Sequence, residues 1–292
     1  PFILEKGGEN LAKQVLEQIP LSSFRGADLR KKQKQLPAID VSTHVKVYME
    51  IGKGNPRLLE WLNEIAVREK DFDFHELQKQ VQGKSEEFVN LYLADILAKT
   101  EGGEFHKFLQ QAAVYRIPVP GSAYACFGDK KLLAAGTTLT LMEKEAAGDR
   151  EPVYWVTPVI REREFDECNE PEQKEAHRKA YEWFDKQYEK DEHPPPEQSE
   201  EAVYHALACG NVRGACKHAV FAGGYKEQQL LYRETVEIQE TVAQRMTNEV
   251  IDEVIKEKDE YAAMMLNNLG KTWWTLGEHQ KAIEFYNKAL AI

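Results

Sequence analysis

The segment Tyr261–Ile292 constrains the fold more than any other part of the sequence, because it predicts two amphipathic helices separated by a tight turn. The first helix repeats large apolar residues at steps of three and four, which places them on one face. Gly277 is expected to end that helix, because glycine adopts the left-handed backbone of a C-cap at low cost. The apolar residues of the first helix are Leu266, Leu269, Trp273 and Leu276. The inner face predicted for the second helix consists of Ala282, Ile283, Tyr286, Ala289 and Leu290.

Small residues in this segment are expected to oppose large ones, which allows two helices to approach closely. Gly270, Ala282 and Ala289 are the small residues, and Trp273 and Tyr286 are the large ones. This spacing resembles the tetratricopeptide repeat, whose period is about 34 residues; an ordinary helical hairpin is the alternative. Neighbouring repeats supply the core of such an array, so a single repeat leaves a face uncovered. The resemblance therefore predicts that the chain is a piece of a longer protein, cut within an array of repeats.

The bulk composition restricts the class of partner. The chain has 292 residues and a formal net charge of −11, which argues against sequence-independent binding of DNA or RNA. Its four cysteines are scattered and form no Cys-x-x-Cys pair, as expected for reduced thiols in a cytoplasm. No apolar run of membrane-spanning length and no secretory signal is visible in the sequence. We therefore expect a cytoplasmic protein with no membrane partner.

The histidines and cysteines give no support for a metal centre or a catalytic nucleophile. His205 and His218 lie on separate predicted helices without a metal-binding carboxylate motif. Cys209 and Cys216 lie near them and are expected to be buried thiols. Cys126 has no evident activating base. We expect no metal ligand and no catalytic residue, so the chain is not expected to be an enzyme.

Glycine and proline mark a second informative stretch in the first hundred residues. Gly52 and Gly54 predict a loop, and Pro56 suits the first turn of a following helix because its missing N–H is not needed there. No Gly-Lys-Ser/Thr follows these glycines, so the loop is not a phosphate-binding loop. Further helices are predicted over Glu9–Ile19 and Glu86–Lys99.

The middle of the chain predicts helices followed by a β-hairpin. The predicted helices cover Phe105–Val114, Ala123–Phe127 and Lys131–Ala135, and the predicted strands cover Leu139–Glu143 and Pro152–Thr157. Three short helices followed by a hairpin is the order of a winged helix. Binding of specific DNA sequences is not favoured, because the presumed recognition helix carries two lysines and otherwise apolar residues. Contacts to base edges in the major groove need side chains such as Arg, Asn or Gln.

Helices are predicted again after this hairpin. One long helix is expected over Phe165–Lys190, and the proline-rich segment Asp191–Glu201 is expected to be an exposed loop. Gly210 and then Gly223–Gly224 are expected to mark the ends of two helices. Two more helices are predicted, over Glu227–Met246 and Thr247–Lys258.

The order of these parts resembles the STAND family of signal-transduction ATPases. The motifs are Gly54-Asn55-Pro56 before a helix, the run Val-Thr-Pro-Val-Ile-Arg-Glu from Val156 to Glu162, and the helical-repeat tail. The resemblance implies a mainly α fold: a helical lid bundle (1–100), a winged-helix domain with a small β-hairpin (101–166), and a helical linker with tetratricopeptide-like hairpins (167–292).

The resemblance also implies the candidate site residues and the cofactors. In that family the Gly-x-Pro motif touches adenine, and Gly54 and Pro56 occupy it here. The family presents a histidine to the β-phosphate of ADP where this sequence has Thr157, which puts phosphate sensing by that residue in doubt. ATP or ADP with Mg is implied for the presumed parent, and no cofactor is expected in this fragment.

The function implied is that of a non-catalytic regulatory and sensor fragment. The winged helix would pack against an upstream nucleotide-binding domain, and the repeats would bind a protein or peptide signal. Two alternatives remain open: a tetratricopeptide scaffold that only binds peptides, and a winged-helix transcription regulator.

Overall fold

The protein is described from a computed structural model, which covers residues 28, 31–32, 34–40, 45–148, 151–190 and 195–292. The predicted fold class, mainly α, is confirmed, with one small antiparallel sheet. Contacts divide the chain into two units, Pro1–Thr100 and Glu101–Ile292. The helix predicted over Glu9–Ile19 lies outside the described residues.

The first unit is organised around the helix that follows the glycine–proline loop. This helix begins at Pro56, as the sequence predicts, and contacts three other helices of the unit. Leu58, Leu62 and Ile65 on its apolar face are fully buried, because three- and four-residue spacing places them together. The described helices are α1 (Pro37–Asp40), α2 (Val45–Gly52), α3 (Pro56–Arg68), α4 (Phe74–Val81) and α5 (Glu86–Thr100).

The second unit begins with what we call the sheet module, residues 103–166. Its three strands are antiparallel in the order β1-β3-β2. Two buried tyrosines hold it together: Tyr115 Oη donates to the carbonyl of Ala123 at 2.9 Å, and Tyr124 Oη donates to that of Tyr154 at 2.9 Å. The elements are α6 (Gly103–Ala112), β1 (Val119–Pro120), a 3-10 helix (Gly121–Cys126), α7 (Lys130–Thr138), β2 (Met142–Glu145), β3 (Val153–Val156) and α8 (Pro158–Asp166).

The predicted boundary of the first hairpin strand is wrong, and the sequence does not predict β1. β2 begins at Met142, because Leu139 still closes α7 with its N–H on the carbonyl of Ala135 and Thr140 turns the chain with a φ of 55°. The sequence assigns Leu139 to the strand because it is an apolar residue in an alternating pattern. In the structure it is buried at the end of the helix. β1 is only two residues long, too short for any alternating pattern to reveal it.

The helix predicted over Phe165–Lys190 is two helices, α8 and α9 (Glu170–Lys190). Asn169 separates them with a reciprocal cap. Its Oδ1 accepts from Glu172 N–H at 3.0 Å, and its own N–H donates to Glu172 Oε2 at 3.4 Å. This Asn-x-x-Glu pattern is a capping-box signal, so the break is readable from the sequence.

The proline-rich segment is not a loop throughout. α10 (Pro196–Cys209) begins at the third proline, which occupies the first turn where its missing N–H is harmless. The helix ends at Gly210, whose φ of 85° confirms the predicted left-handed cap.

Gly223 and Gly224 do not end a helix, and α11 (Val212–Gln228) runs through them. A Cβ on Gly223 would lie 2.5 Å from Gln239 Nε2, so this glycine lets the next helix approach. The break comes later, at Leu230, whose φ is 61°. The predicted helix over Glu227–Met246 is therefore shorter, and the helices that follow are α12 (Tyr232–Ala243) and α13 (Asn248–Glu257).

The chain ends in two helices, α14 (Glu260–Thr275) and α15 (His279–Leu290), which we call the terminal helix pair. Gly270 permits their close approach, because a Cβ there would lie 2.8 Å from the Tyr286 ring and 3.2 Å from the carbonyl of Ala282. α14 also packs against α11 and α12.

The predicted inner face of α15 is wrong at two of its five positions. Ala282 is buried as predicted, but Phe285 is the large residue that faces the core. Ile283 and Leu290 are 48% and 84% exposed. They lie on the flank of the helix, because α15 contacts a single neighbour, α14, closely, and its core-facing stripe is correspondingly narrow.

Candidate functional site

The loop before α3 brings two of the sequence-predicted site residues together. Gly54 has a φ of 79°, a conformation that glycine adopts without strain. Asn55 caps α3, with Oδ1 accepting from the N–H groups of Arg57 at 2.9 Å and Leu58 at 3.4 Å. Pro56 is the first residue of the helix. The bend is therefore held by the backbone conformation of Gly54 and by the side-chain cap of Asn55.

A pocket of about 140 Å³ lies beside this loop. Ligand pockets in proteins usually measure about 300–1,000 Å³, so this one does not enclose a nucleotide by itself. It is lined by Glu50, Ile51, Lys53, Gln78, Val81, Gln82, Gly83 and Val89.

Thr157 belongs to the second unit and is fully buried. Its Oγ1 donates to the carbonyl of Thr140 at 3.1 Å, and its N–H donates to that of Leu141 at 3.0 Å. Its own carbonyl accepts from Ile160 N–H at 3.0 Å at the start of α8. The side chain thus fastens β3 to the turn before β2. A nucleotide contact by Gly54, Pro56 or Thr157 stays a prediction.

The second unit contains a polar group that the sequence analysis does not find, and we call it the histidine cluster: Arg116, which is 38% exposed, and the buried side chains of His177, Glu201 and His205. Arg116 follows α6, and its guanidinium donates to Glu201 Oε1 at 3.0 Å from Nε and at 2.6 Å from Nη2. The same guanidinium lies 3.5 Å from the centre of the Tyr204 ring. Arg116 lies in the sheet module and Glu201 in α10, so the pair joins these two parts across 85 positions of sequence.

The two histidines of the cluster share one hydrogen bond. Their Nδ1 atoms are 2.9 Å apart, so one ring carries the proton and the other accepts it. His205 Nε2 lies 3.6 Å from Glu201 Oε2, and Phe184 stacks on the His205 ring at 5.7 Å. Burial, with the Arg116 charge, lowers the pKa of His177 to about 4. Burial likewise holds the pKa of His205 well below its usual range.

A third histidine is held by a carboxylate between α9 and α11. Asp185 Oδ1 accepts from His218 Nε2 at 2.9 Å and from Lys217 Nζ at 2.7 Å. These hydrogen bonds, the one to His218 first, lower the pKa of Asp185 to about 2. The contact ties the two helices together and leaves the carboxylate ionised over the whole physiological range.

Burial disfavours the thiolate form of three cysteines. It raises the pKa of Cys168 to about 11 and that of Cys216 to about 12, and it also raises the pKa of Cys126. Thiolate is the reactive form of cysteine, so these shifts give no support for a catalytic nucleophile among the three.

A polar groove runs between α11, α12 and α14. Its volume is about 430 Å³, within the range of binding sites in proteins. Lys271 Nζ donates to Glu227 Oε2 at 3.0 Å across it, and Thr272 Oγ1 donates to Glu227 Oε1 at 2.7 Å. The groove is lined by Gly224, Glu227, Gln228, Tyr232, Lys271 and Thr275.

Comparison of the chain with models of protein families, with curated proteins and with solved structures finds no match. Among the residues that the structure describes, none of the helices combines the length and the apolar character needed to cross a bilayer.

Proposed function

We propose that the chain is a non-catalytic regulatory and sensor portion of a STAND-type ATPase. The observation that carries the proposal is the order of elements in the second unit. A helix, a short strand, two helices and a β-hairpin, with the short strand paired to β3, are followed directly by paired helices. A winged helix followed by tetratricopeptide-like repeats has this arrangement.

Contacts between the sheet module and the following helices support a role in passing on a signal. α9 packs against α6 and the 3-10 helix on one side and against α10 on the other. Arg116 and Glu201 fasten the same junction with three hydrogen bonds. A shift of the repeat helices is therefore transmitted to the sheet module, because packed elements move as bodies and do not deform smoothly.

The polar groove supports a peptide or protein as the signal. Tyr232 and Lys271 offer an aromatic surface and a cation along it, and the groove floor at Gly224 is open. In the proposed mechanism the bound partner shifts the repeat helices, the sheet module releases the upstream nucleotide-binding domain, and ADP exchanges for ATP. The partner drives this only through its higher affinity for the released state.

The test uses the full-length gene product that contains this chain. We expect a Gly-Lys-Ser/Thr loop upstream of Pro1, bound ADP in the purified protein, and larger assemblies with ATP and Mg than with ADP by light scattering. Arg116→Ala is expected to speed ADP release, and Arg178→Ala, which removes an exposed pairing with Glu175 and Glu182 on α9, is the control. A parent without a phosphate-binding loop, or one whose assembly ignores the nucleotide, contradicts the proposal.

The same groove favours a second candidate, a peptide-binding scaffold without an ATPase parent. The two candidates differ in what peptide binding changes. A scaffold binds its peptide with the same affinity whether nucleotide is present or absent, whereas an ATPase regulator shows reciprocal coupling between the two ligands.

A further inference from the structure

The turn between α7 and β2 places a threonine in the left-handed region of backbone conformation. Thr140 has a φ of 55°. Its N–H donates to the carbonyl of Thr137 at 3.2 Å, and the N–H of Leu141 donates to the carbonyl of Gly136 at 3.0 Å. This is the hydrogen-bond pattern of a Schellman cap, in which the left-handed position is usually occupied by glycine.

Two glycines of the second unit show what is usual at such a position. α10 and α14 end at Gly210 and Gly277, whose φ values are 85° and 82°. A side chain that branches at Cβ, like that of Thr140, crowds its own backbone at positive φ, so this residue is strained. Strained residues persist only where neighbouring contacts hold them, and they are typical of switch regions. A contact from elsewhere in the sheet module must therefore hold Thr140.

That contact comes from Thr157, which is fully buried. Its hydroxyl donates to the carbonyl of Thr140 at 3.1 Å, and its N–H donates to the carbonyl of Leu141 at 3.0 Å. Thr157 is also the N-cap residue of α8, yet its side chain makes no capping hydrogen bond there. A threonine at an N-cap normally accepts from an N–H group of the first helical turn. The hydroxyl is therefore used on the strained turn and not on the helix that follows it.

The last turn of α7 is shaped for the same arrangement. Gly136 is buried there, and a Cβ on it would lie 2.9 Å from Cγ and Sδ of Met142 at the start of β2. Met142 is itself buried, so β2 folds back closely over the glycine of α7. The packing of Met142 and the hydrogen bond from Thr157 thus oppose the strain at Thr140 and the absent side-chain cap of α8.

We propose that Thr157 and the turn at Thr140 form a conformational latch with two states. In the fastened state, which the structure shows, the Thr157 hydroxyl holds Thr140 at positive φ. In the released state the hydroxyl rotates to cap α8, Thr140 relaxes to negative φ, and β2 separates from the end of α7. The released state is a minor state whose population a change in the turn can shift. The latch depends only on contacts within the sheet module and not on the proposed function.

The test is hydrogen exchange followed by NMR at the N–H groups of Leu141 and Thr157, which are bonded in the fastened state and open in the released one. Thr140→Gly removes the strain and is expected to slow exchange at both groups several-fold, because glycine adopts positive φ freely. Thr140→Asn is expected to give an intermediate rate, since asparagine tolerates the left-handed region better than threonine does.

The matched control is Lys258→Gly. Lys258 is exposed and ends α13 with a φ of 51°, so the substitution relieves the same kind of strain at another helix end of the same unit. It is expected to raise the melting temperature and to leave exchange at Leu141 and Thr157 unchanged. Equal slowing by Lys258→Gly and Thr140→Gly overturns the proposal, because the two N–H groups then open only when the whole unit unfolds. Unaltered or faster exchange in Thr140→Gly overturns it as well.

Discussion

His177 and His205 lie where the sheet module meets the helical pairs, and their single shared proton makes the junction sensitive to acid. In an unfolded chain a histidine titrates near 6.5, whereas the folded pKa of His177 is about 4. Above 6.5 neither state is protonated and the contribution to stability is complete. Between 6.5 and 4 only the unfolded state binds the proton, so stability is lost as the pH falls.

The first prediction is that the melting temperature of the second unit decreases from pH 6.5 to pH 4 and that His177→Phe flattens this dependence. The substitution removes the titrating group, although it also leaves His205 Nδ1 without its partner and lowers stability at every pH. Calorimetry across the pH range measures both effects. His75→Gln, at an exposed histidine of the first unit, should leave the slope of the second unit unchanged. An unaltered slope in His177→Phe contradicts the prediction.

The second prediction concerns Arg116 and Glu201. Arg116→Ala leaves the Glu201 carboxylate, 6% exposed, without its cation. Breaking a fully buried pair costs about 3–5 kcal/mol, and we expect about 2 kcal/mol here because Arg116 is 38% exposed. Urea unfolding of the second unit measures the loss.

The matched control for that prediction is Arg178→Ala on α9. Arg178 pairs with Glu175 and Glu182 on an exposed helix surface, where solvent screens the charges and such pairs contribute little to stability. Equal losses in the two arginine variants would show that the Arg116 contact is no more than a surface ion pair.

At the scale of the elements, two glycines within helices differ in their role: one is needed for close helix packing, and the other only lowers helix propensity. Gly270 lies inside α14, where an added methyl group would lie 2.8 Å from the Tyr286 ring and 3.2 Å from the carbonyl of Ala282. Gly224 lies inside α11, where a methyl group would have no heavy atom of a neighbouring element within 4 Å. The two glycines thus share a helical backbone and differ in what surrounds them.

The third prediction is that Gly270→Ala destabilises the second unit and Gly224→Ala stabilises it. Overpacking costs about 1–3 kcal/mol, and because the added methyl group would lie only 2.8 Å from the Tyr286 ring, we expect this cost to outweigh the gain of about 1 kcal/mol from replacing glycine by alanine in a helix. Gly224→Ala is expected to bring the gain in helix propensity without the cost of overpacking. Thermal unfolding of the two variants against the parent gives the signs. Stabilisation by both substitutions would mean that α14 and α15 do not approach closely at Gly270.

Local signals in the sequence locate most helices but not their limits or their long-range partners. The Gly210 cap is predictable because glycine is the residue that a left-handed cap favours. The break at Leu230 is not, because a leucine with positive φ has no sequence signature. Gly223 gives a false signal of a helix end, since the reason for this glycine is the approach of Gln239 from another helix.

The candidate site is harder to predict for the same reason. The Gly54–Pro56 bend follows from neighbouring residues alone. The histidine cluster joins Arg116 to Glu201 across 85 positions, and no spacing rule connects residues that only the tertiary fold brings together. Glu201 and His205 do share one face of α10 at a four-residue step, which is the single local signal that the cluster offers.

At the scale of the whole molecule, the net charge of −11 opposes association with nucleic acid. The helix that a winged helix would insert into DNA, α7, exposes Lys130 and Lys131. The adjoining strand β2 places Glu143 and Glu145 on either side of Lys144. Phosphates repel carboxylates, so the acidic side chains of this strand do not favour a DNA contact.

The fourth prediction is that the chain does not shift a random DNA duplex in a gel, even at low salt. Phosphate contacts dominate such binding and strengthen as the salt concentration falls, so low salt gives binding its best chance. Lys130→Glu with Lys131→Glu should be indistinguishable from the parent. A tight complex that the double variant loses would instead favour a transcription regulator.

The two edges of the sheet are β1 and β2. β1 has two residues, and one of them is Pro120, which has no N–H to offer an incoming strand. β2 carries three consecutive charged side chains, Glu143 to Glu145. Long, flat, apolar edges template fibrils, whereas short, charged or proline-bearing edges do not. Partial melting of the helices therefore exposes no ready seed for amyloid growth in this sheet.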